Sequence, residues 1–120
     1  MEPLKIEEGQ ETHIKGFIMN KLYLGGWFAK KGKKHHGKHT NVKNLPKGYP
    51  PKYRGKFKRV VKDLKKAGLI IVFPSSGENH VCAVLDHNLV DIGLQLTNAY
   101  RQSVGLPLLP DNLSKALKRK

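Results

Sequence analysis

The sequence predicts a single α+β domain in which helices lead into a β-hairpin and a further helix follows it. Three observations carry that prediction. Phe57, Val60, Val61 and Leu64 fall at i, i+3, i+4 and i+7, the apolar stripe of a helix facing a core. The strand-like runs Leu69–Phe73 and His80–Leu85 flank Ser75-Ser76-Gly77-Glu78-Asn79, which is turn chemistry. The chain has 120 residues, enough for one modest core and too few for two ordinary domains.

Taken in order, residues 1–11 are polar and acidic without periodicity and read as a flexible tail. Ile14, Phe17, Ile18 and Leu22 then keep a helical rhythm, with Thr12 as a candidate N-cap, so a helix is expected over about 12–28. Gly16 weakens that helix, Gly25-Gly26 ends or kinks it, and Trp27-Phe28 supply large core anchors. Residues 29–40 contain almost nothing apolar and read as an exposed loop. Thr40 or Asn41 can cap a short helix carrying Val42 and Leu45. After the turn punctuated by Pro46, Gly48 and Pro50, a basic helix is expected from Pro51 to Ala67, with Gly68 as its C-cap. Beyond the hairpin, Asp86 or Asn88 can cap a helix reaching about Val104, with Leu89, Ile92, Leu96 and Tyr100 on one face. Residues 106–120 form a basic C-terminal extension, so the domain proper spans 12–105.

Charge is the most unequal property of the chain. Lys and Arg number 23 against 9 acidic residues, for a net +14. Between Lys30 and Lys66 stand 15 basic residues against Asp63 alone, so that segment carries the whole excess and the remainder is neutral. Such a field attracts polyanions. Thirteen of the fifteen are lysines, point charges without arginine's bidentate fork, which favours contact with phosphate backbones over reading of base edges. Tyr49, Tyr53 and Phe57 are interleaved with them as candidate stacking rings, Phe57 being better explained as core. A solvated face of ion pairs would also hold many lysines, but it would balance them with Glu, and this segment does not.

A basic helix ending in Leu64-Lys65-Lys66-Ala67-Gly68-Leu69-Ile70 and running straight into a hairpin resembles the winged helix-turn-helix family, over about residues 40–86. The order His39-Thr40, Lys47-Gly48-Tyr49-Pro50 and Gly68-Leu69-Ile70 is also similar to that of small basic archaeal proteins. The resemblance implies a three-helix core with a β-hairpin wing, here with an extra C-terminal helix. It also implies nucleic-acid binding without catalysis. Pro51–Ala67 would be the recognition helix, offering Lys52, Arg54, Lys56, Lys58, Arg59 and Lys62. Lys43 and Lys47 would flank it, and the loop residues Lys30, Lys31, Lys33, Lys34 and Lys38 would add phosphate contacts. Ser75–Asn79 would be the wing tip, which departs from the family in carrying Glu78 and no cation. Duplex DNA is the favoured partner. Structured RNA or a ribosome-associated role is the alternative, and an acidic protein partner a third.

Other chemistry is thinly represented. His35, His36, His39, His80, Cys82 and His87 match no standard zinc spacing, and the first three lie among cations that repel a metal, so no metal or other cofactor is expected. His39 and His80 could serve as an acid–base pair, but no paired carboxylates accompany them, so no enzyme is expected. Neither glycine run has phosphate-loop spacing. One cysteine excludes an internal disulfide, and no apolar stretch is long enough to span a bilayer. The reading is a soluble cytoplasmic protein with no membrane partner. For the C-terminal helix and Leu106-Pro107-Leu108-Leu109, packing on the domain is preferred over a homodimer surface.

Overall fold

A computed structural model of the chain describes residues 6–25, 27–30, 39–75, 77–85 and 87–109. Among these, the order is helix α1 (Ile6–Gly25), strand β1 (Phe28–Lys30), strand β2 (Thr40–Asn41), a 3₁₀ turn (Val42–Asn44), and a second 3₁₀ stretch (Pro51–Lys56). Helix α2 (Phe57–Lys66), strands β3 (Ile70–Ser75) and β4 (Glu78–Leu85) and helix α3 (His87–Ser103) follow. The protein is therefore of mixed α+β class.

Strand β4 is the centre of the sheet. Along one edge β3 pairs antiparallel, from Ile70 opposite Ala83 to Ser75 opposite Glu78. The other edge is shared: β2 pairs antiparallel through Thr40–Val81 and Asn41–His80, and β1 pairs parallel through Phe28–Ala83 to Lys30–Leu85. Because β3 has β4 as its partner on one side, Pro74 can sit within it, where an edge strand has no need of that amide hydrogen. The hairpin closes at Ser75 opposite Glu78, so Glu78 and Asn79 belong to β4 and the tip is shorter than the expected Ser75–Asn79. Gly77, at φ 80°, supplies the left-handed residue this tight connection needs.

Helix α1 begins six residues before the expected Thr12, and residues 6–11 are helical rather than a tail. Gln10 is buried beneath it. Its other end falls at Gly25, not 28; Trp27 leaves the helix and its carbonyl accepts from the Ala83 amide at 2.9 Å. Residues 28–30 are thus recruited to an open edge of β4, a tertiary demand that local composition did not announce. The 3₁₀ turn 42–44 is capped by Asn41, whose Oδ1 accepts from the Lys43 amide at 2.9 Å. Residues 51–56, with Pro51 at the start and Gly55 within, wind as 3₁₀, and the α-helix proper starts at Phe57. It ends on Gly68 at φ 80°, with the Leu69 amide returning to the Leu64 carbonyl at 3.1 Å.

The core lies where α1 crosses α3, with α2 against α1 and the sheet against all three: Ile14, Ile18, Met19, Leu22, Leu45, Val60, Leu64, Val81 and Val90 are fully buried. The α1–α3 crossing is set by two glycines. A Cβ on Gly16 would overlap the Leu96 carbonyl oxygen and come within 2.6 Å of the Tyr100 Cβ. A Cβ on Gly93 would overlap the Tyr23 hydroxyl and lie 2.8 Å from its Cζ. This close approach also corrects the expected face of α3. Val90, Gly93, Leu94 and Thr97 are buried, Leu89, Leu96 and Tyr100 are half-buried at the margin, and Ile92 is exposed. Residues 106–109 fold back onto α3, held by the Leu106 amide on the Arg101 carbonyl at 2.8 Å and the Leu109 amide on Asn98 Oδ1 at 2.8 Å.

His13 bridges three elements. Its Nδ1 lies 2.7 Å from the Tyr49 hydroxyl and its Nε2 2.9 Å from Ser103 Oγ. Ser103 donates its own hydrogen to the Tyr100 carbonyl at 2.6 Å, so Nε2–H donates to Ser103, and in the neutral ring Nδ1 accepts from the Tyr49 hydroxyl. Burial lowers the His13 pKa below 6.5, which favours that neutral ring.

Two outcomes are expected. Folding lowers the His13 pKa, so the folded state binds fewer protons than the unfolded state near pH 6. Stability is then complete above pH 6.5 and is lost as pH falls through the lowered folded value. Urea midpoints between pH 7.5 and 5 should fall with pH, less steeply in His13→Gln; an equal slope in the variant would contradict the assignment. Gly16→Ala and Gly93→Ala should each destabilise by about 1–3 kcal/mol through overpacking, although alanine is the better helix former by ~1 kcal/mol. Thermal melts that rise instead would show that the crossing can relax.

Candidate nucleic-acid interface

Helix α2 turns its charge outward because Phe57, Val60 and Leu64 turn inward. Lys58, Lys62 and Lys65, at i, i+4 and i+7, line the opposite face and are all exposed. The 3₁₀ stretch before it adds exposed Lys52, Arg54 and Lys56, and the preceding turn adds exposed Lys43 and Lys47. One contiguous basic stretch thus carries exposed cations over α2, its approach and the turn before it.

The expected residues are not equivalent. Arg59 Nε pairs with Glu11 of α1 at 3.2 Å, which ties its guanidinium back to the domain. Lys43 Nζ pairs with Glu78 at 3.2 Å, and the same carboxylate accepts from the Asn41 side chain. Hydrogen bonding and charge from Lys43 hold the Glu78 carboxyl below the usual carboxylate range. The acid at the hairpin end thereby has a structural task, fastening the hairpin to the β2 corner. Lys52, Arg54, Lys56, Lys58 and Lys62 have no carboxylate partner among the described residues. Lys30 is placed in β1 by its backbone, whereas Lys31, Lys33, Lys34 and Lys38 lie outside the described residues, as do His35 and His36.

The candidate stacking rings fare unevenly. Phe57 and Tyr49 are both core, their centroids 5.3 Å apart, so Tyr49 is corrected from a stacking candidate to a packing residue. Its hydroxyl pKa is pushed up to about 12, chiefly by burial. Tyr53 is half-buried, and Lys52 Nζ stands 4.9 Å over its ring. Trp27 packs against the core.

Two features were missed by sequence reasoning, and one pair that it named is brought together. The Lys21 ammonium donates to the carbonyls of Asn44, Leu45 and Lys47 at 2.9, 3.1 and 2.6 Å, joining α1 to the turn that precedes the basic stretch. Burial, then the charge of Lys47, lowers its pKa. A lone lysine in a helix gives no sign of such a role. His39 and His80, the pair named as a candidate acid and base, meet with Nδ1 atoms 2.9 Å apart and rings nearly perpendicular, with Phe73 against His39. One ring must donate and the other accept. Cys82, by contrast, is buried within β4, and burial pushes its thiol up to about 11. Among the described residues no three His, Cys, Asp or Glu side chains group together. The second missed feature is a cleft of 340 Å³ beside α2, lined by Val42, Leu45, Pro46, Phe57, Val61 and Val72, with Lys43, Arg54, Lys58 and Asn79 around them.

Among the described residues no helix is long and apolar enough to cross a membrane. We expect Lys21→Met to cost about 1–3 kcal/mol in urea denaturation, because three carbonyls lose a charged donor at once; an unchanged midpoint would mean that water replaces it freely. Comparison with protein-family models, with curated proteins and with solved structures finds no match.

Proposed function

We propose that this is a winged helix-turn-helix domain that binds nucleic acid, without catalysis, through the exposed lysines of α2 and the turn before it. What supports the fold reading is that, within the order α1, β1, β2, short turn, 3₁₀ stretch, α2, β3, β4, α3, strand β4 lies antiparallel between β2 and β3, with β1 added parallel to the β2 edge. Helix α2 leads directly into the hairpin and presents one cationic face, as a recognition helix would. The single observation that carries the function is that Lys58, Lys62 and Lys65 share that face, with Lys52, Arg54 and Lys56 beside it and no carboxylate paired to Lys52, Arg54, Lys56, Lys58 or Lys62 among the described residues. Unpaired ammonium groups on one side of a small body neutralise phosphates and release condensed counterions.

Duplex DNA is the favoured partner, held by backbone contacts, since a helix fits the major groove and lysine reads bases poorly. Structured RNA is the second reading. It is favoured by Glu78, whose carboxylate is spent on Lys43 and Asn41 and gives the hairpin end no cation for a minor groove.

The test is binding to duplex DNA and structured RNA across a salt series. Lys58→Ala and Lys62→Ala should each weaken binding and lower the log–log salt slope by about one, with melting temperature unchanged. Leu64→Ala should instead cost roughly 2–5 kcal/mol of stability with the slope kept. A flat salt response to both nucleic acids would remove the proposal.

A further inference from the structure

The 340 Å³ cleft beside α2 combines properties that a phosphate-binding surface alone does not need. Val42, Pro46, Val61 and Val72 are only half-buried, and they meet over Leu45 and Phe57, which close the floor. Apolar side chains left open to water in the most cationic part of a protein mark a place where something apolar is set down. Lys43, Arg54 and Lys58 stand around this floor, and Asn79 on β4 brings an amide that can both donate and accept. The volume lies near the lower end of the roughly 300–1,000 Å³ typical of small-molecule sites. An amphipathic helix would need a row of anchors over several turns, which so short a cleft does not offer.

We propose that this cleft receives one unstacked nucleobase, the flanking phosphates being held by Arg54 and Lys58. An apolar planar group with negative charge on either side and hydrogen-bonding atoms on its edge is the ligand that this lining complements. Lys58 belongs both to the cleft and to the exposed face of α2, so an extruded base would lie beside the track of phosphates already inferred. The preferred substrate is then a strand with a base outside the helix, at a bulge or loop, rather than an uninterrupted duplex. This rests on the nucleic-acid reading above, and the test separates the two.

The probe is a short DNA duplex carrying 2-aminopurine, fully paired or placed in a single-nucleotide bulge. The bulged form should bind about tenfold more tightly at equal salt and with an equal salt slope, because a base contact releases no counterions. The 2-aminopurine emission should change with the same midpoint. Asn79→Ala, an exposed position, and Val61→Ala should reduce that preference to about twofold or less while paired-duplex affinity is kept. Equal affinity for the two duplexes, or a preference that survives both variants, would overturn the cleft assignment while salt-dependent binding upheld the interface. Failure to bind either duplex would overturn both. Binding of a fluorescent acidic, leucine-rich peptide that is lost in the two variants, with no bulge preference, would give the cleft to a protein partner and overturn the proposal.

Discussion

The cationic surface depends on a single ammonium group facing inward. Residues 44–49 must turn the chain so that the basic 3₁₀ stretch and α2 follow, and this turn exposes carbonyls that no α-helix or strand satisfies. Lys21 answers three of them from α1, with Phe17 beneath its ammonium at 4.9 Å. Tyr49, at the end of the same turn, is fixed from the other side by His13. One half-buried charge is thus turned onto the protein so that ten others, from Lys43 to Lys66, can be held outward on a defined frame.

Amphipathic elements were readable in the sequence and context-dependent ones were not. The stripe Phe57, Val60, Leu64 located α2 because three apolar residues at helical spacing admit few other solutions. The hairpin announced itself through β-branched runs around a glycine-containing turn. By contrast, β1 and β2 have only three and two residues and exist because β4 has an edge to fill, which composition cannot express. The start of α1 was hidden for a related reason, since an acidic, polar segment becomes helix when it continues one already packed.

Glycine misled in an instructive way. Gly16 reads as a weak point in a helix, yet it and Gly93 both stand where α1 and α3 pass too closely for a side chain. Propensity treats such a residue as a cost, whereas packing uses the missing Cβ as space. The same crossing rotated α3 so that Val90 and Thr97 replaced Ile92 in the interior. At the interface, the lysine positions were legible but their fates were not. Which cation would be free depended on where Glu11 and Glu78 arrived, and both come from elements far away in sequence.

The two pairings on one edge of β4 have an evolutionary corollary. Lys30 is registered against Leu85 and Thr40 against Val81, so the chain leaves and rejoins the same strand edge four residues apart, roughly 13 Å along it. Both attachment points are fixed by backbone ladders, independent of what joins them. Neither ladder uses a residue between Lys30 and Thr40, so the sheet register does not depend on the number of residues there. The number of lysines in that span is therefore a quantity that selection can adjust separately from the fold.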